Sequence, residues 1–262
     1  MCINRINLDD QTLLALYATF QNARRSLGEI YPLARYDDFV DRGRYQGSAF
    51  LVTMVAQEQI LAATNTINRF CYDLRSITAW GKVFESVTEG DRMLALFEFV
   101  FPIASASLSA PYSIKQMFVR SVCQISYQTN CLRDNNWKGV LKERLNFPDA
   151  ERLAARFVSW PALRSALSML NDEKFINESD DYRNRINHGF PRRIEVGHTV
   201  TISPDLRPGS VSYAWGVAPP LPVSNLIPLL AEQYEAALSC FAAYIALIKE
   251  QHDLWPRLAS DE

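Results

Sequence analysis

At 262 residues, 48% of them hydrophobic, the chain is long enough to bury a substantial core as one large domain or two small ones. A formal charge of −2 excludes a global field that would draw it to nucleic acid or an anionic membrane, so any such contact must come from a local patch. The cations are 21 Arg against 6 Lys, a bias that suits bidentate phosphate contacts and that genome base composition also produces.

Helical periodicity dominates the chain. Asp9 or Asp10 caps a first helix running to Gly28, with Leu13, Leu14, Tyr17 and Phe20 on one face. A long helical pattern follows from about Gly47 to Val83. Thr88 or Glu89 opens another that is apolar almost all round through Phe101, which predicts a central position with the stretch FEFVF in the core. Ser109 and Pro111 read as the cap and first turn of a further helix ending near Arg133. RDNNWKGV is a connection, and DAERLAARFVSW and PALRSALSML are shorter helices. Asn177 and Asp180 have the spacing of a capping box, and Gly189 stands where a left-handed residue ends a helix, with Pro191 barring continuation.

The period then changes to two. Ile194, Val196, Val200 and Ile202 alternate with polar residues, and Val211, Tyr213, Trp215 and Val217 alternate again after SPDLRPGS, which predicts a β-hairpin over about 193–218. Pro219, Pro220 and Pro222 form a stiff link. Ser224 caps a long last helix reaching about Gln251 or Trp255, and Pro256 ends it. The expected fold is all-α with one small hairpin insertion, divided into an N-terminal helical extension over 1–87 and a helical domain over 88–262.

Several chemistries have no signature. There is no Gly-rich phosphate loop, no H-E-x-x-H and no cluster of metal ligands, so no cofactor and no metal are expected. Cys2, Cys71, Cys123, Cys131 and Cys240 are odd in number and contain no C-x-x-C, which reads as a reducing cytoplasm with cysteines acting as small hydrophobes. MCINRINLDD lacks the apolar region of a secretory signal. LALFEFVFPIASASLSAP is interrupted by Glu98, Pro102 and serines, so a soluble protein is expected.

What remains is residues 180–193, DDYRNRINHGFPRR, with one of only three histidines. Arg183 and His188 are five apart, about 140° around a helix, while Arg183/Asn187 and Asn184/His188 are i,i+4 pairs. Such a helix paired with its copy across a two-fold axis brings two arginines and two histidines to one groove. That groove suits RNA cleavage without a metal. His188 takes the 2′-hydroxyl proton or protonates the leaving oxygen, and Arg183 stabilises charge on the phosphate. Arg185, Arg192, Arg193 and Asn187 are candidate substrate contacts. The 2′-hydroxyl is the nucleophile, so DNA is inert. Arg-x4-His recurs at Arg193 and His198, in a strand pattern, and His198 and His252 are read as structural or exposed. The plain alternative is a polar helix end with a charged rim.

RNRINH resembles the R-polar-x3-H motif of the HEPN superfamily (higher eukaryotes and prokaryotes nucleotide-binding). The chain is similar over about 88–258 to HEPN proteins of bacterial conflict systems, in which Gly, a β-hairpin and a long final helix follow the histidine. The resemblance implies a HEPN-like helical bundle, a homodimer and a metal-independent endoribonuclease acting as a toxin or defence effector. Arg183 and His188 would be catalytic and Asn184 supportive, with an antitoxin or sensor protein as a further partner. Phe190 stands where toxins neutralised by a nucleotidyltransferase carry Tyr, so that neutralisation is not expected. A non-catalytic dimerisation or RNA- or partner-binding module is the alternative, and a nucleotide sensor a third reading.

Overall fold

The computed structural model describes residues 10–35, 45, 47–134, 136–204 and 213–255. Asp9, Cys2, Val211, most of the hairpin turn and Pro256 lie outside them. The protein is mainly helical with a single two-stranded antiparallel sheet among the described residues. Its elements in chain order are α1 (Asp10–Ser26), α2 (Gly47–Phe84), α3 (Glu89–Ala95), α4 (Phe101–Arg133), α5 (Phe147–Ala154), α6 (Trp160–Met169), α7 (Glu173–Glu178), α8 (Tyr182–His188), β1 (Thr199–Pro204), β2 (Tyr213–Ala218) and α9 (Val223–Asp253).

Local chemistry explains most helix ends. Asp10 in the first turn of α1 and Arg24 and Arg25 in its last complement the helix dipole. The Thr88 hydroxyl accepts the Asp91 N–H to cap α3. Asn146 and Asp149 form a reciprocal capping box on α5, and Lys142, 2.7 Å away, holds the Asp149 carboxylate below the usual range. The helix expected over DAERLAARFVSW therefore begins two residues earlier than that stretch and stops at Ala154.

Two further corrections concern the central helices. Ser109 and Pro111 do not start a helix: α4 runs straight through Pro111. The ring removes one ladder hydrogen bond, a cost of about 3 kcal/mol in an exposed helix, but Leu108, Pro111 and Ile114 are all buried here, and packing outweighs it. The FEFVF stretch is not uniformly core. Residues Leu96–Val100 form one π-helical turn joining α3 to α4. Leu96 and Val100 are buried, Phe97 is 59% exposed, and Phe101 is half-buried. The continuous run Glu89–Arg133 is, by length and composition alone, long and apolar enough to cross a bilayer, and a third of its most apolar window is buried in the protein.

The chain groups into two compact units, each assembled from three separated segments: 1–32, 71–109 and 173–232 in the first, 33–70, 110–172 and 233–262 in the second. The boundary expected between residues 87 and 88 is not among theirs. In the first unit Trp80 stacks between Phe20 and Phe99, with ring centroids 4.6 and 5.2 Å away. Ile77, Val83, Ala104, Leu108 and Leu230 are fully or nearly fully buried. In the second unit Ile60, Phe118, Val122, Leu163 and Tyr244 are buried. There the Glu250 carboxylate accepts the Val158 and Ser159 N–H groups, each at 2.7 Å, which caps α6.

The hairpin is shorter than its sequence pattern. Strands β1 and β2 pair in the register Val200↔Val217, Ile202↔Trp215 and Pro204↔Tyr213. Ile194 and Val196 precede it, and Ile194 makes an isolated parallel bridge to Leu221 instead. Ser224 does not cap α9. The Pro222 carbonyl accepts the Asn225 and Leu226 N–H groups, which places Ser224 inside the first turn. The cap comes from a distant residue. The Glu195 carboxylate accepts the Val223 N–H at 2.8 Å and lies 3.6 Å from the Arg92 guanidinium. Glu195 itself is left-handed, at φ 61°, a conformation that disfavours a side chain and holds only because these contacts and its N–H bond to the Leu221 carbonyl fix it. Glu195→Ala is expected to lower stability by about 1–2 kcal/mol, read as a shifted urea midpoint, with Glu195→Gln in between because it keeps an acceptor.

Candidate functional site

The Arg-His stretch is held by its start. After α7, the consecutive residues Asp180 and Asp181 both adopt left-handed backbone, at φ 57° and 47°. Aspartate tolerates this better than most residues, yet two in a row cost on the order of 1–3 kcal/mol each. The turn is closed by the Asp181 N–H on the Ile176 carbonyl at 2.7 Å, and the Asp181 carbonyl then accepts the Asn184 and Arg185 N–H groups. The capping box expected from Asn177 and Asp180 is absent: Asn177 lies within α7, and Asp181 takes the cap position without a side-chain bond.

This reversal drives Tyr182 into the core, where it is fully buried with its hydroxyl 2.7 Å from the Ser105 Oγ of α4. Burial pushes the phenol pKa up, so Tyr182 is neutral at physiological pH. With Tyr182 inward, the rest of α8 faces outward. Arg183 and Arg185 are half-buried, and Asn184, Asn187 and His188 are exposed. Asn187 donates to the Arg183 carbonyl at 3.0 Å, and Arg185 pairs with Asp180 at 3.0 Å, so Arg185 is tied to the turn. The His188 ring, in the last position of α8, has no hydrogen bond or ion pair to the described residues. Gly189 ends the helix in extended backbone, φ −167°, and not in the expected left-handed form; its N–H reaches the Arg185 carbonyl at 2.8 Å.

A pocket of about 410 Å³ opens just beyond α8, within the same unit. Phe101, Phe190 and Val200 are among its apolar lining residues, and Arg192, Arg193 and His198 among its charged and polar ones. Arg183, Asn184 and His188 do not line it. The Arg193 N–H is fixed by the Thr199 hydroxyl at 2.9 Å and the Arg192 Nε by the Pro219 carbonyl. His198 and Phe101 were not expected here. Phe190, 81% exposed two residues after His188, was the visible signal. His252 lies far along the chain with Nε2 3.0 Å from the Tyr45 hydroxyl.

Other nucleophiles are poorly placed. Burial pushes the Cys123 and Cys240 thiols up to about 12, so both are un-ionised at neutral pH. Among the described residues no three His, Cys, Asp or Glu side chains come together as a metal-binding group.

No protein-family model, curated protein or solved structure matches this chain.

Proposed function

We propose that the protein is a metal-independent endoribonuclease of HEPN type, working as a homodimer in the cytoplasm as a toxin or defence effector. The observation that carries this reading is the presentation of α8. A strained double-aspartate turn and a buried tyrosine fix a seven-residue helix so that Arg183 and a solvent-facing His188, without a partner among the described residues, stand on it together. Backbone strain of this kind is retained where the surroundings over-determine it, and functional sites are where it clusters. Two copies of α8 meeting about a two-fold axis would complete the site.

In the proposed reaction the 2′-hydroxyl attacks its own phosphorus and loses its proton to one imidazole. The bond to the 5′-oxygen breaks as a second imidazolium protonates it, leaving a 2′,3′-cyclic phosphate and a 5′-hydroxyl. Arg183 stabilises the charge on the non-bridging oxygens, and Asn184 orients it. No redox step and no metal-bound water is needed. Arg192 and Arg193 hold flanking phosphates.

Purified protein is expected to cut mixed RNA in the presence of EDTA, to leave cyclic-phosphate ends, and to spare DNA of the same sequence. Cleavage that a chelator abolishes, or ends that carry a 5′-phosphate, would remove this mechanism.

A further inference from the structure

The pocket beside α8 is lined by Phe101, Phe190 and His198 as well as by Arg192 and Arg193, and the proposed cleavage reaction gives the first three no role. We propose that it is a subsite for one nucleotide of single-stranded RNA flanking the scissile linkage, the base against the rings of Phe190 and Phe101 and the phosphate on Arg192 and Arg193. This rests on the ribonuclease reading for its substrate class, and its own evidence is independent of Arg183 and His188.

Volume is the first argument: about 410 Å³ lies at the small end of ligand sites and suits a single nucleotide. Chemistry is the second. The lining brings together two aromatic residues, two arginines and a histidine, and no acidic residue belongs to it. Stacking surface beside backbone-tracking cations is the combination by which proteins hold single-stranded nucleic acid, and each stacked base contributes about 1–3 kcal/mol. Position is the third. Phe190 is two positions after His188, so their Cα atoms are at most about 7 Å apart, within one nucleotide step along the strand. A pocket there holds the residue next to the cut.

Exposure supplies the fourth argument. At 81% exposed, Phe190 contributes little to the core and is open to a ligand beside Arg192 and Arg193 of the same lining. His198, exposed at the pocket wall, is placed to hydrogen-bond a base edge or a ribose hydroxyl. The subsite therefore holds any base by its face, with His198 supplying whatever preference exists.

Binding separates this from the cleavage reading. The probe is a fluorescein-labelled 2′-O-methyl hexauridylate, which cannot be cut because its internal nucleophile is blocked. Fluorescence anisotropy on the full chain is expected to show Phe190→Ala weakening the complex about tenfold and Phe190→Trp keeping wild-type affinity. Arg192→Gln with Arg193→Gln is expected to flatten the salt dependence. Wild type that does not bind the hexamer at low salt, or Phe190→Ala that binds as wild type does, overturns the subsite. UMP that displaces the hexamer at matching concentration also overturns it, in favour of a free-nucleotide site. If wild type binds with the Phe190 dependence but leaves natural RNA uncut in EDTA, the subsite stands and the nuclease reading falls. If RNA is cut with no Phe190 dependence in binding, the reverse holds.

Discussion

His188→Ala lowers the rate of RNA cleavage by about 10²–10⁴-fold, the usual contribution of a positioned general acid or base, while the melting temperature stays at the wild-type value. The second half of this expectation gives the first its meaning. His188 is exposed at the end of a short helix and engages no other described side chain, so its loss removes no packing. Arg183→Ala is expected to lose about 10²–10³-fold, the cost of removing one preorganised donor from a developing oxyanion. Arg183→Lys should recover little, because a point charge cannot reproduce a planar pair of donors. Both losses are read as initial rates on a single labelled RNA, at protein concentrations where sedimentation shows the dimer that the reading requires. Equal rates for His188→Ala and wild type would sink the mechanism whatever else the protein does to RNA.

Tyr182→Ala, by contrast, unfolds the site from beneath. The ring is fully buried and its hydroxyl meets Ser105. Removing a buried aromatic side chain costs about 3–5 kcal/mol, a large part of the roughly 5–15 kcal/mol by which a domain is stable. The variant should show a urea midpoint well below wild type and lose cleavage in parallel with folded fraction. Tyr182→Phe is the informative partner. It keeps the ring, removes the partner of the half-buried Ser105 hydroxyl, and should cost about 0.5–1.5 kcal/mol. If Tyr182→Ala were as stable as wild type, the account of how α8 is held would be wrong.

The elements most plainly written in the sequence are those with long regular patterns and little competition. The helix expected from about Gly47 to Val83 is α2, Gly47–Phe84, and the alternation around Val200 and Val217 is the β1–β2 pair. Legibility fails where a residue's meaning depends on distant partners. Pro111 looks the same locally whether it opens a helix or lies buried in the middle of one, and the choice is made by packing. Ser224 has the chemistry of a cap, but Glu195, 28 residues before Val223, takes that role with support from Arg92. Gly189 was read as left-handed from its residue type, whereas the left-handed positions near the motif are the two aspartates ahead of it.

The candidate site shows the same division. Spacing in RNRINH marked Arg183, Asn184 and His188 as a group, and all three lie on one short helix. Spacing could not show that Asp180 ties back Arg185. It also could not bring Phe101, 89 residues before Phe190, to the same pocket.

The Glu195 link has a consequence for synthesis on the ribosome. It joins a side chain from α3, the segment ahead of β1 and the opening turn of α9, so three parts of the chain spread over about half its length must be present together. Loop closure of that span is slow relative to local helix formation. A nascent chain still lacking α9 therefore carries RNRINH already translated but without the clasp beside it.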